Sequence, residues 1–286
     1  MKSFRSITPL LWVRLLRCFR KIALCAGWLF FFSALFAQIQ PAAHVSLFKK
    51  LSVIKTQYFD IIFPVQSEKS VRHLALHADT LYEKLCDVLL LDTHSLFGKT
   101  RCPVLITPEY DVLNAYFTVV PYNRIVLRDC VPSSSFAVFS DTLVSVFYHE
   151  LVHAVTLNIK SPFWHGTSAV FGDWVSPSLL LNFPTSFVEG AAVSFESMDG
   201  EGRLNDNYSL HVLRQAKIED KFPDWRDVAG SYSLYTDGSL PYMFGASFSS
   251  FIQKKYGMRS YADFWKNGGT FYPFKLSAGI FKKTYG

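Results

Sequence analysis

Residues 140–158 read SDTLVSVFYHELVHAVTLN. Ser140-Asp141 is a helix-capping pair, and the run after it holds neither Gly nor Pro, so it reads as a helix to about Asn158. At its centre stands His149-Glu150-Leu151-Val152-His153. On a helix, positions i and i+4 share one face, so both imidazoles can aim at a single ion. Glu150 projects beside the pair, within reach of a water held there. A lone helix histidine is usually a packing or solvated residue, whereas this triplet in mid-helix has the spacing that a metal site needs.

A zinc site needs a third protein ligand and an open fourth position. The extended pattern with a third His six residues on is absent, because the relevant positions are Thr156 and Ile159. A carboxylate from a following helix is the alternative, and Phe187-Val188-Glu189-Gly190-Ala191-Ala192-Val193-Ser194-Phe195-Glu196 supplies one. Glu189 lies in an apolar helical stretch, where a charge must meet a partner or reach solvent. Gly190 and the two alanines are expected to let this helix pack closely on the metal helix. Glu196, seven residues on, shares the face of Glu189. It reads either as a solvated side chain or as a carboxylate that hydrogen-bonds a ligand imidazole.

HELVH followed by FVEGAAVSFE resembles the gluzincin metallopeptidases, in particular the bacterial peptidase MA-like group. The resemblance spans about residues 55–260, and only these two motifs are specific to it. It implies a zincin-like α+β fold with Zn²⁺ on His149, His153 and Glu189, and water in the fourth position. It implies Glu150 as general base and a Tyr or His from the C-terminal lobe that assists the oxyanion. Tyr232, Tyr235 and Tyr242 are the candidates, with Tyr242 preferred because it opens a helix. The resemblance further implies that the strand beside the metal helix, Asn114 to Val119, holds extended peptide by main-chain hydrogen bonds. Two features depart from the group. The segment 161–186 (SPFWHGTSAVFGDWVSPSLLLNFPTS) is an aromatic insertion that either caps the cleft or anchors the chain to another surface. His165 within it is a competing ligand or an ordinary loop histidine. The chain also stops at Phe281-Lys282-Lys283-Thr284-Tyr285-Gly286, amid a helical lobe, as a truncated product would.

The rest of the pattern agrees with an α+β chain. Residues 55–64 read as a strand stopped by Pro64. Residues 67–91 read as a helix opened by Ser67 and Glu68, with Val71, Leu74, Leu81, Leu85 and Val88 on one face. Strands are expected at 103–107, 114–119 and 124–128, the last two joined by Pro121-Tyr122-Asn123. Loops are expected at 132–135 and, irregularly, over 160–184. Helices follow at 185–198, 241–256 and 259–266, with a polar turn from Gly200 to Asn207. That turn, with its neighbour Asp199, has calcium-loop composition but not the spacing of an EF-hand.

Composition bounds the partners. With 50% hydrophobic residues, 27 Phe and 14 Tyr, the chain is too apolar for disorder. The formal charge of +6 is carried by the leader: Lys2, Arg5, Arg14, Arg17, Arg20 and Lys21 precede an apolar run from Ile22 to Phe36. The body after residue 37 is neutral, which argues against nucleic acid as a partner. Residues 1–37 read as a secretory signal ending at Ala37 or as an uncleaved membrane anchor. Leu35 fits the small-residue cleavage rule poorly. Membrane contact through this segment is expected, in the periplasm or cell envelope. Cys86, Cys102 and Cys130 remain after it, as one disulfide plus a thiol or as three buried thiols. Residues 38–286 are then one peptidase domain, an exported zinc metallopeptidase acting on peptide or protein. The alternative is an inactive envelope scaffold or binding protein on the same fold. No residue assigns an oligomeric state.

Overall fold

The structure is a computed structural model that describes residues 50–97, 100–109, 111–119, 122–130, 139–173, 183–229, 240–270 and 277–286. The leader, the loop 132–135 and Tyr232 and Tyr235 lie outside them. The architecture is α+β: five strands form one mixed sheet, and the second half is helical. Strand β1 (Leu51–Lys55) pairs antiparallel with β2 (Phe59–Pro64). Strand β3 (Cys102–Thr107) runs parallel to both β2 and β5 (Arg124–Arg128), and β4 (Ala115–Thr118) closes the order β1-β2-β3-β5-β4 as an antiparallel edge.

The single strand expected at 55–64 is instead the second arm of a hairpin. Its turn is fixed by a side chain that the local pattern does not reveal. The Asp79 carboxylate accepts from Thr56 Oγ1 (2.7 Å), Gln57 N (2.9 Å) and Tyr58 N (3.2 Å), satisfying turn donors that neither strand uses. Asp79 belongs to helix α1 (Glu68–Val88), whose buried stripe runs Val71, Leu74, Ala78, Tyr82, Leu85 and Cys86. Leu81 and Val88 flank this stripe and are only partly buried. Ser67 does not cap the helix: it ends a short 3₁₀ turn, and its hydroxyl is buried without a hydrogen-bond partner. A short helix α2 (Thr93–Phe97) leads into β3.

The helix at the centre of the sequence argument is α3 (Thr142–Thr156), capped as expected by Asp141, whose side chain accepts from Val144 N. It packs on α1, β4 and β5, so the sheet and α1 back the metal-motif helix. The stretch expected to be irregular holds helix α4 (Pro162–Phe171), started by a Pro at its first turn and stopped at Gly172. Helix α5 (Thr185–Glu196) follows, then α6 (Asn207–Ile218), α7 (Trp225–Ala229), α8 (Leu240–Gly269) and α9 (Ser277–Tyr285). Gly257, at φ 83°, interrupts α8 between the two helical segments read from the sequence. Among the described residues no helix is long and apolar enough to cross a membrane. Cys86, Cys102 and Cys130 are all free thiols; the first two are buried, and burial pushes the Cys86 thiol up to about 11.

The core joins sheet and helices: Phe59, Tyr82, Phe147, Tyr261, Phe264 and Trp265 are fully buried within one cluster. Each such side chain contributes about 1.5–3 kcal/mol by leaving water. Gly190 serves a different contact from the one expected. A Cβ there would run into the Gly245 backbone of α8, and one on Gly245 would run into the Ser186 carbonyl of α5. The glycines thus set the α5–α8 approach, while Glu189, one residue earlier and about a hundred degrees around the helix, faces α3. Gly190→Ala is expected to lower stability by about 1–3 kcal/mol through overpacking. Gly166→Ala in α4, where an added Cβ meets nothing within 4 Å, should be neutral or stabilising by up to about 1 kcal/mol. Paired urea melts of the two variants check the contrast.

Candidate metal centre

Helix α3 is buried along its whole second half, from His149 to Thr156. A helix apolar on all sides has no solvent face to offer a charge, yet His149 (6% exposed), Glu150 (5%) and His153 (7%) sit inside it. Their charges are met by the neighbouring helix. Glu189 Oε2 lies 3.3 Å from His149 Nε2 and 3.3 Å from His153 Nε2. The imidazole rings stand perpendicular, with centroids 4.8 Å apart. The ligand atoms of His149, His153 and Glu189 all fall within 4.8 Å of one another, and this group could hold a metal ion.

Two observations test the fit. Glu189 Oε2 is buried and forms no hydrogen bond of acceptable geometry, although both imidazole nitrogens are close. Such an atom is costly unless something cationic meets it. In addition, two ligand atoms about 2.0–2.1 Å from a tetrahedral ion stand about 3.3–3.4 Å apart, close to the separations found here. The residues therefore fit a metal ion held by two imidazoles and a carboxylate.

Around this triad lies a supporting set. Glu196 Oε2 is 2.8 Å from His149 Nδ1, so Glu196 takes the second of its two sequence readings. The Arg203 guanidinium donates to Glu196 through Nε (2.7 Å to Oε1) and Nη2 (2.9 Å to Oε2) and stands 5.0 Å from the centre of the Tyr242 ring. Tyr242, in the first turn of α8, stacks on His149 with centroids 6.4 Å apart. Its phenol lies near enough to Glu189 to feel that carboxylate's charge. Phe117 of β4 is a further neighbour of Glu150. His165 does not join the triad. It lies on α4 beside Lys160 and Asp173, and burial followed by the Lys160 charge lowers its pKa.

The electrostatics of the metal-free site follow from these contacts. Burial and the Arg203 charge disfavour a protonated His149, but the Glu189 and Glu196 carboxylates outweigh both and lift it to about 9. Burial alone would raise Glu189; the His153 charge and the contact with both imidazoles hold it well below the usual carboxylate range. Burial likewise opposes an ionised Glu196, which Arg203 and then His149 bring down to about 2. Glu150 goes the other way: burial raises it against the pull of the two histidines. Burial, then the Glu189 charge, push the Tyr242 phenol up.

Arg203 is the residue that sequence reading passes over. It sits in a turn whose composition signals only solvent exposure. The available sign was its seven-residue spacing from Glu196 behind two glycines.

No protein-family model matches the chain. The chain is 34% identical over 236 residues to an uncharacterized protein of Treponema pallidum (strain Nichols). The match takes in 82% of this chain and 20% of that protein, so the chain spans about a fifth of the length of that relative.

Metal analysis checks the triad. The metal-free chain is expected to take up one divalent ion with a rise in melting temperature. Glu189→Ala should remove uptake at micromolar metal while leaving the far-ultraviolet dichroism unchanged.

Proposed function

We propose that this chain is a zinc-dependent metallopeptidase of gluzincin type, exported to the cell envelope by residues 1–37 as signal or anchor. One observation carries the reading: Glu189 Oε2 converges on both imidazole Nε2 atoms at 3.3 Å, with Glu150 and Tyr242 among the charged and polar neighbours of that carboxylate. His149, His153 and Glu189 would hold the ion. When bound, a zinc ion supplies a Lewis acid that polarises a carbonyl and makes a nearby water more acidic.

The chain's own residues do the rest. Glu150, buried and raised in pKa, accepts the water proton and returns it to the leaving nitrogen. Tyr242, kept protonated by burial, donates its hydroxyl to the oxygen on which negative charge develops. Both stay within the closed set of side chains, where low local polarity strengthens each interaction. Strand β4 is the edge of the described sheet next to α3, and its Phe117 is a neighbour of Glu150. An extended peptide laid along β4 would bring its carbonyl to that base. The substrate class is therefore a peptide or protein segment in extended form.

Glu150→Gln is expected to retain metal and fold while hydrolysis of a mixed peptide library falls by about 10²–10⁴-fold. Tyr242→Phe should lower kcat by about 10²–10³-fold with little change in KM. Metal uptake by the wild type with no cleavage in the library would favour the scaffold reading over the peptidase. N-terminal sequencing of exported protein tests the fate of residues 1–37.

A further inference from the structure

Arg203 takes no part in the chemistry above, yet it secures the outer side of His149. Its fork meets both oxygens of Glu196, with Nε on Oε1 at 2.7 Å and Nη2 on Oε2 at 2.9 Å, and its own backbone amide points at Oε1 from 3.4 Å. The Glu196 side chain is 1% exposed, so this fork is the charge that makes its burial tolerable. Glu196 Oε2 stands 2.8 Å from His149 Nδ1, so the held carboxylate fixes the outer edge of the imidazole. Nε2 of the same ring is on the side facing Glu189. Arg203 Nη2 stands 2.8 Å from Nδ1, and its guanidinium lies over the Tyr242 ring that stacks on the same imidazole.

The turn that carries Arg203 is built for this placement. Gly202, at φ +87°, leaves no room for a side chain: a Cβ would stand 2.6 Å from Ser197 Oγ and 2.8 Å from the Glu196 carbonyl. Leu204 N donates to Ser197 Oγ, and Asn205 Nδ2 donates to the Ser197 and Glu201 carbonyls. The Glu201 carboxylate accepts from Ser140 N (3.1 Å) and Ser140 Oγ (2.9 Å), one residue before the cap of α3. The turn is thus tied at one end to Glu196 and at its middle to the start of the metal-motif helix.

We propose that Arg203 is a positioning residue for metal capture: it fixes the Glu196 carboxylate, and through it the ring plane of His149, so that Nε2 is aimed at the place where an ion would sit. The proposal rests on the metal-centre reading. It assigns to a single arginine in a polar turn the preorganisation of a ligand that lies in another helix.

The test uses the full metal-free chain titrated with Zn²⁺ against a chromophoric chelator, together with the absorption spectrum of the Co²⁺-loaded protein. Arg203→Gln is expected to weaken Zn²⁺ binding by about 10–100-fold and to shift the Co²⁺ ligand-field bands. Arg203→Lys keeps a charge but loses the fork, so its loss should be smaller and its spectrum intermediate. Glu196→Gln should resemble Arg203→Gln, and the double variant should be no weaker than Glu196→Gln alone by more than about twofold. Wild-type affinity and an unchanged Co²⁺ spectrum in a folded Arg203→Gln overturn the proposal. If that variant fails to fold by circular dichroism, the same two results in Arg203→Lys overturn it. Fully additive losses in the double variant also overturn it, because Arg203 would then not act through Glu196. A wild-type chain that takes no Zn²⁺ is a separate result, and it removes the metal-centre reading beneath the proposal as well.

Discussion

Burying ionisable groups together is tolerable only when their charges balance, and that constraint organises this molecule. Glu150, Glu189 and Glu196 bring three carboxylates into a closed space, and Arg203 brings one guanidinium. With neutral imidazoles and all three carboxylates ionised, two negative charges would remain uncompensated, and a protonated Glu150 would reduce that to one. A divalent cation at the His149–His153–Glu189 junction brings the fully ionised set to neutrality. Without one, protonation of His149 is the nearest substitute, which accounts for the direction of its shift. The same balance explains why the carboxylates diverge. Glu196 has its own cation and Glu189 has two imidazoles, so both are held ionised. Glu150 has neither a guanidinium nor a direct imidazole contact of that kind, and burial prevails.

The two halves of the chain divide the work. Sheet and α1 form the support on which α3 lies, and Phe117 of β4 neighbours Glu150. The helical half supplies everything that meets the imidazoles from outside: Glu189 and Glu196 from α5, Arg203 from the turn after it, and Tyr242 from α8. Assembly of the site therefore requires the core to form across both halves, as the continuous cluster from Phe59 and Phe147 to Phe264 and Trp265 indicates.

How much of this was legible in the sequence follows from the range of each signal. The helical spacing of His149 and His153, the Asp141 cap and the lone Glu189 in an apolar helix are local facts, and each is found where local reasoning put it. Glu196 could be narrowed to two roles but not decided, because the choice depends on which helix its face meets. The β1–β2 hairpin was missed because its turn is held by Asp79, some twenty residues on, rather than by a Gly or Asn signature. Gly190 was assigned to the wrong neighbour for a related reason: composition shows that a helix can approach closely, not which partner it approaches. Arg203 was invisible because its value lies wholly in a long-range contact.

The α5–α8 glycine contact ties packing to chemistry. Gly190 is the residue after Glu189, and Gly245 is three residues after Tyr242, so the place where the backbones touch lies within a turn of both functional side chains. Any side chain inserted there must push α8 away from α5, and Tyr242 moves with α8. Glu189 could hold its place against α3 while Tyr242 drew away from it. Close packing at these two glycines is thus what keeps the Tyr242 ring of a distant helix beside His149 and near the carboxylate that meets both imidazoles. The tolerance of that arrangement is set by backbone contact rather than by flexible side chains. A site whose geometry is fixed this way gains its precision from the core around it, which is why the glycines matter as much to the proposed chemistry as the histidines do.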